Sequence, residues 1–273
     1  MSQDSASAPS SAHPPIAPVG VMECIGMGWR LMMSDFWRLW VVAFVTTVVW
    51  MGASVFGMAA TIVVLPPLLA GLYYAVARRI DGGPAEVADL FAGFKHRFGP
   101  SVVGMLPVTL GSVAIAVPLG LAMAALFVLG LGIVAAAEGQ EEVVAVVVVV
   151  GILAFLVIEM VLIAALMVYA LFFRFVPLAV WDHPESGWEA AKASARLVRD
   201  HFPPMVGFFL VFWLIAVAAQ LIGLAACCVG VFFTGPVVTV WFVASLVYLY
   251  RSWTGRPLVS VPAAGDGREG GGN

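Results

Sequence analysis

The sequence predicts an all-α integral membrane protein with six transmembrane helices, and three observations carry that expectation. Hydrophobic residues make up 62% of the 273, charged residues only 11%, and the mean hydropathy is +1.04; soluble domains run near half apolar and about a quarter charged. Long stretches between Arg38 and Arg78, over 98–137, over 143–173 and between His201 and Arg251 carry no charge except Glu159. Threaded as six spans, these stretches leave all thirteen Lys and Arg residues on one side, as the positive-inside rule requires.

A water-soluble fold is excluded by this composition. The charged segments are short pieces between apolar blocks, too small for cores of their own. The domain reading is therefore a tail over 1–19, a membrane domain over 20–253 and a second tail over 254–273. The first tail is rich in Ser, Ala and Pro with no Lys or Arg, which speaks for disorder and against a signal peptide. The second ends in a Gly-rich run. The net charge of -3 is nearly neutral and carries no message about nucleic acid, and no such partner is expected. The three cysteines form no C-x-x-C pair and read as small apolar fillers.

Taken in order, the 39 residues between Arg38 and Arg78 would make a helix about twice the ~30 Å hydrocarbon thickness. They must turn back near Gly57 to Thr61, giving spans near 37–57 and 60–79. The stretch after His201 divides around Cys228 to Gly230 into spans near 204–226 and 232–250. In the middle, charge decides. If 98–137 held two helices and 143–173 one, then Arg174, Lys192, Arg196 and Arg199 would lie opposite the other basic residues. One long span each, kinked at Pro107 or Pro118, keeps every basic residue cytoplasmic and the acidic loop Glu138 to Glu142 outside. Four short helices would keep the sidedness too, but each half of 143–173 would have about 15 residues, below the ~17 needed to span. Both termini are then cytoplasmic, in a bacterial inner membrane.

Three amphipathic interfacial helices are expected ahead of the first, third and fifth spans. In the first, Met22, Ile25, Trp29, Met32, Met33 and Phe36 share an apolar face. In the second, Val87, Leu90, Phe91, Phe94 and Phe98 follow helical spacing, with Pro84 as a first-turn residue. In the third, Ser186 and Glu189 have capping-box spacing; Trp188, Ala191, Ala195 and Val198 mark one face, and Glu189, Lys192, Arg196 and Arg199 the other. At an offset of 166 residues Glu23, Arg30, Leu31 and Phe36 align with Glu189, Arg196, Leu197 and Phe202. The pattern suggests a threefold repeat of interfacial helix plus hairpin, near 20–80, 81–182 and 183–253.

Two groups of residues carry a resemblance. Pro67-Leu68-Leu69-Ala70-Gly71, Arg78-Arg79-Ile80-Asp81-Gly82 and Asp89-Leu90-Phe91-Ala92-Gly93-Phe94 form one; Arg174 to Asp182 leading into Trp188 to Ser194 forms the other. Together they resemble poorly characterised bacterial membrane proteins related to the membrane domain of glycerophosphodiester phosphodiesterase. The resemblance implies a six-helix membrane domain with cytoplasmic amphipathic connectors. It implies no phosphodiesterase activity, since the soluble catalytic barrel of those relatives has no counterpart here.

No motif for catalysis, metal binding or a cofactor stands out, so no enzyme is expected. The leading expectation is a scaffold that organises lipids or partner proteins, with Lys192, Arg196 and Arg199 as a basic face toward anionic lipid or another membrane protein. The alternative is a small secondary transporter or channel. It rests on Glu159, placed near mid-membrane with Gln220 as a candidate partner, because an ionisable group in a span is costly to keep. Asp182, His183, Glu185 and Glu189 read as a solvated turn rather than a metal set. Oligomeric state is not readable from the sequence.

Overall fold

A computed structural model describes residues 19–136, 140–183, 185–225 and 229–255. The expected tails, Glu138 and Gly139 of the acidic loop, Pro184 and the Cys227-Cys228 pair lie outside the described residues. Among those described, all regular structure is helical: α1 (Val21–Ser34), α2 (Phe36–Val55), α3 (Met58–Ile80), a 3-10 turn (Val87–Phe91), α4 (Ala92–His96), α5 (Phe98–Ala136), α6 (Glu141–Leu171), α7 (Val176–Asp182), α8 (Gly187–Asp200), α9 (Phe202–Ala225) and α10 (Val229–Thr254). Six helical stretches are long and apolar enough to cross a membrane. The chain is thus a multi-pass membrane protein by length and composition.

The first hairpin turns at Gly57, whose φ of 93° lies in the left-handed region that a residue with a Cβ rarely adopts. In the middle, 98–136 is one helix that carries Pro107 and Pro118 inside it, so the two-helix division does not occur. Each proline removes one backbone bond to the carbonyl four residues earlier, a loss the flanking turns of a long apolar helix tolerate. The fourth span, α6, ends at Leu171, within two residues of the expected limit; the chain then turns over 172–175 and a short helix, α7, not expected from the sequence, continues to Asp182.

The second connector also departs from the expected helix. Pro84 lies in non-helical chain, and Val87 to His96 is a 3-10 turn followed by a five-residue helix. Close backbone contact explains this. A Cβ at Gly71 would collide with the Leu90 carbonyl, and one at Gly93 with the Pro67 carbonyl. The connector is pressed against α3 at two glycines, and a regular helix would hold its backbone further off. Asp89 fixes the turn, accepting from the Glu86 N–H at 3.0 Å and from Arg78 Nη1 at 2.7 Å.

The hairpins pair α2 with α3, α5 with α6, and α9 with α10, while α3, α7 and α10 occupy the centre. Buried Leu72, Tyr73 and Val76 of α3 meet Leu178 of α7 and Val243, Val247 and Tyr248 of α10 in one cluster. Connectors pack on neighbouring units: α1 on α10, the 3-10 turn and α4 on α3, and α8 on α5 and α7. Ion pairs tie the hairpin bases together. Arg251 Nη1 and Nη2 reach the two Asp81 oxygens at 2.6 and 2.9 Å, Arg79 lies 3.2 Å from Asp35, and Tyr250 donates to Asp182 at 2.5 Å. Arg38, Arg78, Arg79 and Arg251 are thus each paired with a carboxylate at the hairpin bases.

Candidate functional site

Gly187 starts α8 because a Cβ there would collide with the Pro100 carbonyl of α5. The Ser186 hydroxyl accepts from the Glu189 N–H at 3.4 Å, as the S-x-x-E spacing predicts. The Glu189 carboxylate turns instead to Lys192 Nζ at 2.7 Å, and that hydrogen bond holds it below the usual carboxylate range. Further along, Ser194 is fully buried: its hydroxyl donates to the Phe172 carbonyl at 2.8 Å and accepts from the Phe175 N–H at 3.2 Å. That pair of bonds pins α8 to the turn between α6 and α7.

With Ala190, Ala191, Ser194 and Val198 turned inward, the opposite face is free. Arg196 and Arg199 are exposed and Lys192 is half-buried; Lys192 is paired with Glu189, and Arg199 lies 3.6 Å from Asp200. Trp188 corrects the sequence reading. It is 53% exposed and lies beside Lys192 and Arg199 at i+4 and i+11 spacing, on the accessible side rather than with the buried alanines. The apolar face of α1 is likewise divided. Ile25 and Met32 are buried on α10, while Met22, Trp29 and Met33 remain exposed. Trp241 holds α1 in place by donating from Nε1 to the Ile25 carbonyl at 2.9 Å.

Glu159 is half-buried on α6 and Gln220 is exposed on α9; no hydrogen bond joins them, and Glu159 has none with any described residue. The register of α5 against α6 is set by Tyr169, whose hydroxyl donates to the Pro107 carbonyl at 2.5 Å. Counted along the helices from that bond, Glu159 lies ~15 Å further from the basic end, and Pro107 is itself ~14 Å from Phe98. With α5 upright, Glu159 falls near the far edge of a ~30 Å apolar layer beginning at Phe98. Only a tilt of the hairpin would bring it to half depth.

Sequence reasoning missed a cavity of about 360 Å³ where the three hairpin bases meet, lined by Tyr74, Arg78, Asp81, Trp181, Asp182 and Arg251 among others. Arg251 pairs with Asp81 across it, Arg78 turns to Asp89, and Asp182 accepts from Tyr250. Trp181 stacks on Tyr74 at 4.7 Å, donates from Nε1 to the Ala70 carbonyl at 3.1 Å, and has the Arg97 guanidinium 5.6 Å from its ring. The signal lay in the charged residues that end each unit, Arg78 to Asp81, Asp182 and Arg251, but nothing in one sequence joins positions 170 residues apart. This arrangement can lock the bases together and resist their separation. No family model, curated protein or solved structure matches the chain.

Proposed function

We propose that this protein is a non-enzymatic membrane scaffold that gathers anionic lipid at its basic end, which faces the cytoplasm of a bacterial inner membrane. The observation that carries the reading is the accessible stripe of Trp188, Lys192, Arg196 and Arg199 on a helix whose other face is packed on α5 and α7. An aromatic ring beside cations suits the headgroup layer. Exposed Phe91 on the second connector, Phe98 at the start of α5, and Met22, Trp29 and Met33 on the first connector add apolar groups to the connector layer.

The threefold repeat belongs to this reading. Each connector packs on the closing helix of the unit before it: the 3-10 turn and α4 on α3, α8 on α7, and α1 on α10. That order is cyclic, and it supports three interfacial segments disposed around one centre. The resemblance noted in the sequence points the same way, toward a membrane domain without its own catalysis.

Flotation of the purified chain on vesicles tests the proposal. Each basic residue near an anionic surface contributes about 1 kcal/mol, so the triple variant Lys192→Gln, Arg196→Gln, Arg199→Gln should bind phosphatidylglycerol vesicles about 100-fold more weakly after reconstituted protein is presented with its basic end outward. Unchanged binding would remove the platform. The transporter reading keeps Glu159 as its carrier: proton-coupled flux in proteoliposomes that disappears in Glu159→Gln would replace the scaffold with a transporter.

A further inference from the structure

Between the middle and third hairpins lies a second cavity of about 360 Å³, distinct from the one at the hairpin bases. Its walls are apolar and aromatic: Leu72 and Tyr73 of α3, Met105 and Val108 of α5, Phe209 and Trp213 of α9, Phe242 of α10. One side is open, where Trp213 is 50% exposed. Into this crevice points a cation. The Arg174 guanidinium sits 4.7 Å from the Phe242 ring centroid and 5.6 Å from that of Phe209.

Among the described residues Arg174 has no ion pair. Its Nε is buried without a hydrogen-bond partner among the described residues, and no lining residue is acidic. The carboxylates at the hairpin bases have other partners: Asp81 pairs with Arg251, Asp89 with Arg78, and Asp182 accepts from Tyr250. Ring faces attract a cation but accept no hydrogen bond, and the two hydroxyls in the lining, Tyr73 and Thr239, make none with Arg174. A half-buried guanidinium whose Nε has no partner suits an anion with several oxygens, which can take more than one of its N–H groups. Counted along α9 and α10, Phe209 is ~10 Å from Phe202 and Phe242 ~13 Å from Arg251, so the charge lies about two turns inside the bundle.

We propose that this crevice is a site for one anionic phospholipid, its phosphate on the Arg174 guanidinium and an acyl chain along Phe209 and Trp213. A zwitterionic headgroup fits less well, because its ammonium would find no carboxylate in the lining. The proposal rests on the reading that the protein engages anionic lipid. It shares no residue with the α8 face, so either can fail alone.

Native mass spectrometry of the full chain in mild detergent, with added phosphatidylglycerol, phosphatidylcholine or oleate, tests it. Wild type should retain one phosphatidylglycerol in preference to the other two. Arg174→Met should bind it at least about tenfold more weakly, the size expected for losing a charge-assisted pair. Ala216→Phe, which fills the crevice and keeps the cation, should do the same, and the Lys192, Arg196, Arg199 triple variant should leave this retention unchanged. Equal retention of phosphatidylcholine, tighter retention of oleate, or loss only in the triple variant would overturn the site. Should Arg174→Met fail to fold, quenching by one equivalent of phosphatidylglycerol with brominated acyl chains decides: it should be weaker in Trp213→Phe than in wild type, and Trp29→Phe should leave it unchanged. Equal quenching in Trp213→Phe and wild type overturns the proposal.

Discussion

Cys24 shows how burial controls chemistry at a single residue. It is fully inaccessible on the inner face of α1, and desolvation with Glu23 beside it pushes its thiol up from 9.0 to about 12. A raised value for an acid means the folded state favours the protonated form. The stabilisation is present below pH 9.0 and is lost as pH rises toward 12. In the variant Cys227→Ser, Cys228→Ser, maleimide labelling of Cys24 at pH 8 should be slow in the folded protein and become rapid on unfolding. Rapid labelling of the native protein would show that α1 does not stay on α10. Glu159 was legible in the sequence because it interrupts an apolar run. Arg174 was not, because a cation at the end of a run reads as a boundary, and only the rings of Phe209 and Phe242 reveal that it points inward.

Among the elements, the connectors separate what periodicity can show from what it cannot. The spacing around Ser186 predicts α8 and its capped start, because both are set by residues within one turn. The second connector fails the same reasoning, since its conformation follows from contact with α3 some twenty residues earlier. Gly71→Ala should therefore destabilise the protein by about 1–3 kcal/mol through a forced backbone shift. Gly26→Ala is the control: it is exposed in α1 with no atom near a new Cβ, and should be neutral or stabilising by up to about 1 kcal/mol. Thermal unfolding in detergent compares the two, and an equal response would refute the backbone contact. Trp188 was misplaced for a related reason. Its apolar character suggested a buried face, but burial on α8 follows the small residues Ala190, Ala191 and Ser194, which let α5 and α7 approach closely.

At the scale of the whole molecule, two features stand apart. One is the length of the middle hairpin: α5 has 39 residues, ~58 Å of helix, against the 20 of α2. Of the described residues in α6 only Leu171 is buried, so the far part of this hairpin touches little besides its own partner helix. A bilayer accommodates it by tilt, or the hairpin projects. The other feature is the closure of the hairpin bases. Arg251 and Asp81 join α10 to α3 across 170 residues, with Arg251 largely shielded and Asp81 54% exposed. Exposure limits such a pair to about 1 kcal/mol of coupling. Arg251→Asp and Asp81→Arg should each lower the unfolding temperature, and the double variant should recover most of the loss. Additive losses would mean the pair does not hold the bases together.

By itself the sequence determined the number of spans and their limits to within a few residues. These follow from hydropathy and charge, which act on each segment against lipid or water independently of its neighbours. Tertiary structure alone decided which face of each connector is covered, that α3, α7 and α10 form the centre, and that Arg174 opens into a crevice. Inside a bilayer all helix surfaces are similarly apolar, so pairing depends on local shape, on glycines such as Gly71 and Gly93, and on single hydrogen bonds such as Trp241 to Ile25. Those preferences belong to pairs of residues far apart in the chain, and a pattern read along one strand of sequence does not contain them.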